Sequence, residues 1–147
     1  MTCNDDAFHG LLLYLDGEDT AADYAGRVGT LKSRKLLPAD FSRPANEAVQ
    51  RGTLAVAITQ ALGIKGGYAM RLFGPTPRYA TRELQYLDLY PQSSPNQTFT
   101  GTEFLGVMGK FEDAQRAREV TIAQPATVDA NDPDAVQLDN GSATGQQ

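Results

Sequence analysis

Apolar side chains recur along the first 118 residues at intervals of three and four, the spacing of one helix face. Phe8, Leu11, Leu12 and Leu15 open the series, with Asn4 or Asp5 as candidate N-cap and Gly17 as the stop. Thr20 and Asp23 have the spacing of a capping box, and Tyr24, Val28 and Leu31 follow on one face of a second helix that runs to about Lys35 and closes before Pro38. After the turn-rich loop ADFSRPANEAVQ, Leu54, Ala55, Ile58, Ala61 and Leu62 mark a third helix ending at Gly63 or at Gly66-Gly67. Thr76 caps a fourth, with Pro77 at the first helical position and Tyr79, Ala80, Leu84 and Leu87 behind it. Between the third and fourth, Met70 and Phe73 are expected to plug the junction. Thr100 and Glu103 form a second capping box ahead of Phe104, Leu105, Met108 and Phe111 on a fifth helix.

Two stretches share one plan. Leu31 to Pro38 and Leu84 to Pro91 each end a helix on a proline stop, and each is followed by a loop and a further helix, QRGTLAVAI or TGTEFLGVM. Leu31 and Leu84 lie 53 apart, as do Pro38 and Pro91, whereas Leu54 and Phe104, like Ile58 and Met108, lie 50 apart, so the second loop is three residues shorter. Neither unit has enough apolar surface to close over itself, so the two are expected to pack together.

Composition adds where the core stops. Periodicity fades past about Arg118, and QPATVDANDPDAVQLDNGSATGQQ is small, polar and acidic, unable to bury enough surface to offset its ordering entropy. The expectation is an all-α fold of about five short helices: one helical domain over residues 1–118 with units at about 20–66 and 76–113, then a disordered acidic tail over 119–147. From Glu112 onward seven acids face Arg116 and Arg118, which accounts for the whole net charge of −5. Upstream, six acids precede the first basic residue, Arg27, and then ten Lys or Arg face only Asp40 and Glu47 as far as Arg82. Such a basic middle would attract an anionic partner if its side chains shared a face.

The repeat resembles the S-layer homology (SLH) repeat of bacterial envelope proteins, on LKSRKLLPADFSRPANEAVQRGTLAVAITQALGI at 31–64 and more loosely on RELQYLDLYPQSSPNQTFTGTEFLGVM at 82–108. The resemblance covers about half the chain. It implies a helical prism that binds an anionic cell-wall glycopolymer through the arginine of a Thr-Arg-x-Glu cap. Arg51 stands at that arginine position in the first unit and Gly101 in the second. Gln50 and Thr53 depart from the capping residues, Thr100 and Glu103 keep them, and no third full repeat is visible.

Chemistry beyond this is thin. A single cysteine, Cys3, excludes an intramolecular disulfide and a cysteine-based zinc site, and its setting, Cys3 before Asn4-Asp5-Asp6, resembles the acylated start of a bacterial lipoprotein. His9 has no nucleophile to serve, and DGED at 16–19 lacks the alternating ligands of a calcium loop. Arg71, Arg78 and Arg82, in the Gly- and Pro-rich stretch 66–91, are candidate anion contacts beside Arg51. The expected function is a non-catalytic, cofactor-free attachment or assembly module at the cell envelope, with a glycopolymer or an envelope protein as partner. The alternative is a cytoplasmic helical protein that binds nucleic acid or a protein through its basic middle.

Overall fold

The computed structural model describes residues 1–66, 71–72 and 74–123, which contain five α-helices and no strand. The plug residues Met70 and Phe73, Gly67 and the tail from 124 onward lie outside the described residues. Helix α1 (Asn4–Asp16) is capped by Cys3 rather than by Asn4 or Asp5: the sulfur accepts from the Asp6 N–H at 3.4 Å. Asn4 is drawn instead to a tertiary partner, its Nδ2 donating to the Pro44 carbonyl at 2.9 Å, and is fully buried. Gly17 ends α1 in the left-handed region, as expected.

Helix α2 (Tyr24–Ser33) begins at Asp23, whose carboxylate accepts from the Gly26 N–H at 2.8 Å, so Asp23 is the cap itself and Thr20 lies outside the helix. Helix α3 (Arg51–Ala61) stops at Leu62 and Gly63, the latter at φ +56°. Helix α4 (Pro77–Tyr86) has the expected Thr76 cap and Pro77 start. Helix α5 (Gly101–Ala123) opens on the Thr100–Glu103 capping box and continues five residues past the expected end at Arg118. In that extension the Thr121 hydroxyl donates to the Ala117 carbonyl, and one turn earlier an Arg116–Glu112 ion pair lies along the same helix.

The repeat is visible bond by bond. At the end of α2 the Leu36 and Leu37 N–H groups both donate to Leu31 O, and at the end of α4 the Leu89 and Tyr90 N–H groups both donate to Leu84 O. Lys35 and Asp88, each one residue before those pairs, are the two non-glycine residues with positive φ among the described residues, at +61° and +57°. The same turn is therefore built twice, 53 residues apart, and each time it sends a large side chain inward: Leu37 and Tyr90 are both 3 % exposed.

Helix α1 belongs to the same scheme, which the sequence did not reveal. The first two N–H groups of α1, those of Asn4 and Asp5, donate to Glu47 O and Ala45 O in the first loop. The first two of α3, those of Arg51 and Gly52, donate to Gln97 O and Pro95 O in the second loop. Isolated antiparallel bridges precede each pair, Cys3 with Ala48 and Gln50 with Thr98. The segments entering the three long helices also touch: Val49 N–H donates to Thr2 O and Thr2 N–H to Phe99 O, both at 3.0 Å. The N-termini of α1, α3 and α5 thus meet around one point, with α2 packed on α1, α4 on α3, and α5 against α1.

A continuous core runs beneath this junction through Phe8, Leu11, Leu31, Leu54, Ile58, Leu84, Phe99, Met108 and Phe111. Two residues expected on inner faces are outside it: Leu105 is 61 % and Leu87 44 % exposed, while Val107 takes the inner position on α5.

Candidate binding site around Arg51

Arg51 is the first residue of α3, and the junction just described closes over it until its side chain is only 7 % exposed. Its Nε donates to Thr98 O at 2.9 Å, one terminal nitrogen donates to Glu103 Oε1 at 2.7 Å, and the guanidinium lies 4.8 Å over the Phe99 ring. The planar fork joins the second loop, the cap of α5 and an aromatic face at once, which a lysine cannot do. From the other side, the buried Tyr90 hydroxyl donates to the Arg51 carbonyl at 3.1 Å, and burial pushes that phenol well above its ordinary range.

Glu103 is the hinge between capping and ion pairing. One carboxylate oxygen accepts from the Thr100 N–H and hydroxyl at 2.9 and 3.0 Å, and the other takes Arg51. The Thr100 N–H first, and then Arg51, hold its carboxyl at about 2, below the ordinary 4.5. A second such centre ties α1 to α2. There Asp19 accepts from Arg27 Nε at 2.5 Å, pairs with His9 Nδ1 at 2.6 Å, and caps the Ala21 N–H, while Arg27 also reaches Asp5. Those hydrogen bonds, His9 and then Arg27, hold the Asp19 carboxyl at about 2 against an ordinary 3.8.

Both folded values lie below the unfolded ones, so the stability these groups contribute is complete above about pH 4.5 and is lost as pH falls toward 2. Urea unfolding midpoints measured from pH 6 to pH 2 are expected to fall through that window. The Asp19→Asn, Glu103→Gln double variant should show a shallower fall; an unchanged pH slope would mean that other carboxylates carry the effect.

Over Arg51 opens a groove of about 500 Å³ lined by Pro91, Gln92, Asn96, Gln97, Thr98 and Glu103. Its walls are three side-chain amides, Thr98, Pro91 and the Arg51–Glu103 pair, in which the one cation already faces an anion, so its chemistry is hydrogen bonding to a neutral or weakly charged polar ligand rather than capture of a bare anion. The loop residues Gln92, Asn96 and Gln97 escape sequence reading because a polar loop between two helices carries no signal that separates a lining from a linker.

The other expected contacts lie elsewhere. Arg78 and Arg82 stand one turn apart on the exposed side of α4 and Arg71 is exposed in the connection before it; none of them lines the Arg51 groove. The four arginines therefore do not form one site. The basic middle is also partly neutralised at home, since Arg27 pairs with Asp5 and Asp19, Arg34 with Asp16, Arg43 with Glu47 and Arg51 with Glu103. Three of the six acids at the start of the sequence, Asp5, Asp16 and Asp19, thus find their partners in Arg27 and Arg34. Cys3 is half-buried as the α1 cap, its thiol 3.1 Å from Asp6 Oδ2, and the preceding Thr2 is held on both sides by Phe99 and Val49. Among the described residues no cluster of three metal-ligating side chains occurs, and no helix is long and apolar enough to cross a membrane. Comparisons with family models, with curated proteins and with solved structures return no match.

Proposed function

We propose that the chain is a non-catalytic SLH-like binding module of the bacterial cell envelope that holds a hydroxyl-rich cell-wall polymer in the groove over Arg51. The observation that carries this reading is the repeated junction, in which a loop of one unit lies across the N-terminus of the preceding long helix and leaves a polar groove there. Sugar hydroxyls both donate and accept, and the groove offers amide, hydroxyl, guanidinium and carboxylate partners for both roles. Arg51 in this reading orients the wall of the groove as well as facing it. Its internal bonds make it a poor probe of binding, because an Arg51→Ala chain loses the tie between the loop and α5 together with any ligand contact.

Binding of purified cell-wall polysaccharide, followed by calorimetry, is the direct test. The Gln92→Ala, Asn96→Ala double variant should unfold at nearly the same denaturant concentration as the parent and bind at least tenfold more weakly, the loss expected when one or two hydrogen bonds go; Gln97 is left in place because its side chain accepts from the Ser94 N–H within the loop. Absence of binding by the parent, or equal binding by the double variant, would reject the groove. A steep salt dependence with DNA or RNA, centred on Arg71, Arg78 and Arg82, would favour the alternative nucleic-acid reading instead.

A further inference from the structure

The starts of α1, α3 and α5 can be laid over one another residue by residue. Cys3, Gln50 and Thr100 stand at the caps, so Met1 corresponds to Ala48 and Thr98, Thr2 to Val49 and Phe99, and Asp6 to Thr53 and Glu103. The bonds keep the same register. Cys3 and Asp6 exchange two hydrogen bonds, the Asp6 N–H donating to the sulfur at 3.4 Å and the thiol to Asp6 Oδ2 at 3.1 Å. Thr100 and Glu103 do the same, the Glu103 N–H donating to the hydroxyl at 3.2 Å and the hydroxyl to Glu103 Oε2 at 3.0 Å.

One residue past the caps stand Asn4, Arg51 and Gly101. Arg51 reaches from α3 to the start of α5, where its guanidinium takes Thr98 O, the Phe99 ring and Glu103 Oε1, the carboxylate oxygen that the cap leaves free. The corresponding set at the start of α1 is Met1 O, Thr2 and Asp6 Oδ1, and the residue placed to reach it from α5 is Gly101. Glycine has no side chain to send, and an added Cβ there would meet nothing within 4 Å. In its place stands a groove of about 290 Å³ lined by Met1, Thr2, Asp6, Gly101, Phe104 and Leu105. Among the described residues Met1 O and Asp6 Oδ1 accept no hydrogen bond, and Asp6 pairs with no cation. Thr2 is only 6 % exposed, and its hydroxyl likewise has no partner among the described residues.

We infer that this groove is a binding site for a guanidinium group, the arginine side chain of another polypeptide. The guest takes the place that Arg51 takes one junction earlier: its N–H groups donate to Met1 O and Asp6 Oδ1, and the Thr2 hydroxyl accepts where Arg51 has the Phe99 ring. A planar fork serves oxygens that lie in different directions, which an ammonium does not. The two grooves therefore select opposite guests. In the Arg51 groove the carboxylate already has its cation, whereas here the carboxylate is present without one, so a charge-assisted bond is open to a cationic guest. Met1 and Leu105, 89 % and 61 % exposed, form an apolar rim for the methylene stem and its neighbours, which favours an arginine on a chain over a bare cation. The inference rests on the equivalence of the three helix starts and is independent of any polymer in the Arg51 groove.

The test titrates the full, isotope-labelled chain with N-acetyl-arginine amide. Amide signals of Thr2, Asp6, Gly101 and Leu105 should shift together and saturate, with a dissociation constant of about 1–10 mM. The neutral isostere N-acetyl-citrulline amide should leave them in place, and guanidinium chloride, which lacks the stem, should bind about fivefold more weakly. Asp6→Asn should weaken the arginine amide about tenfold, while Gly106→Ala, outside the groove, should not. A second measurement supplies the guest within the chain. Gly101→Arg should abolish binding and raise the urea midpoint above that of Gly101→Ala, and this excess should vanish when Asp6→Asn is added. Absence of saturable shifts by about 50 mM, equal shifts with the citrulline amide, unchanged affinity in Asp6→Asn, or an excess that survives Asp6→Asn overturns the inference. Equal affinity for guanidinium and for the arginine amide places a small cation in the groove and overturns the polypeptide arginine.

Discussion

One methyl group added at Gly52 should lower the unfolding free energy by about 2–3 kcal/mol, even though alanine is the better helix former. Gly52 is the second residue of α3, where the second loop and the start of α4 close on it. A Cβ there would stand 2.7 Å from Pro77 Cβ, 2.9 Å from Pro95 Cβ and 3.1 Å from Pro95 O. None of these is the end of a flexible side chain. Two are carbons of proline rings and the third is the carbonyl that accepts from the Gly52 N–H, so relief requires the backbone to move and that bond to lengthen. The helix-propensity gain of Gly→Ala, about 1 kcal/mol at most, does not offset this. Gly106 and Gly109 are the controls of opposite sign: both are helical with nothing within 4 Å of an added Cβ, and alanine at either should stabilise by about 0.5–1 kcal/mol. Urea unfolding of the three single variants checks the sign reversal, and a stabilising Gly52→Ala would mean that the loop does not lie across α3 as described.

Phe8→Ala is expected to cost more, about 3–5 kcal/mol. Phe8 is completely buried, stacked on Tyr24 at 5.9 Å with the rings 5° from parallel, and meets Phe41 edge-on at 5.5 Å. It therefore joins α1, α2 and the first loop through one ring. Removing it leaves a cavity bounded by two aromatic rings that cannot both turn inward, because the Tyr24 hydroxyl is tethered to Arg43 O at 2.8 Å. Phe8→Leu should cost about 1–2 kcal/mol by the same reasoning, while Tyr86→Ala, at a ring 85 % exposed, should change stability by less than about 0.5 kcal/mol. A loss at Phe8 no larger than that at Tyr86 would contradict the packing.

Features set by neighbours in sequence were legible, and those set by distant partners were not. Pro77 after Thr76, the Thr100–Glu103 box and the two proline stops are local, so the helices they delimit appear where the pattern puts them. Cys3 is not an expected cap because sulfur accepts hydrogen bonds poorly, and Asn4 loses that place only because Pro44, forty residues on, claims its amide. Asp23 displaces Thr20 for a similar reason: a helix starting at Tyr24 is the one that stacks its ring on Phe8. Leu105 fits the apolar period as well as Phe104 does, and periodicity alone cannot tell which side of a helix has a partner. The sequence presents Arg51 as a ligand contact, and the structure gives it internal acceptors at Thr98 and Glu103 that no reading of residues 50–53 could supply. The same holds for α1, whose equivalence to α3 and α5 lies in backbone bonds rather than in residue types.

The link between Thr2 and Phe99 also sets an order of events during synthesis. The two residues are 97 positions apart, and a ribosome adding roughly 5–20 residues per second takes about 5–20 s to supply the second after the first. Until Phe99 is made, α1 can settle only against α2 and the first loop, whose Val49 N–H takes Thr2 O, while the Thr2 N–H is left without its Phe99 acceptor. Closing of the junction thus waits for the arrival of Phe99, and a long-range part of this small helical protein lies at Thr2.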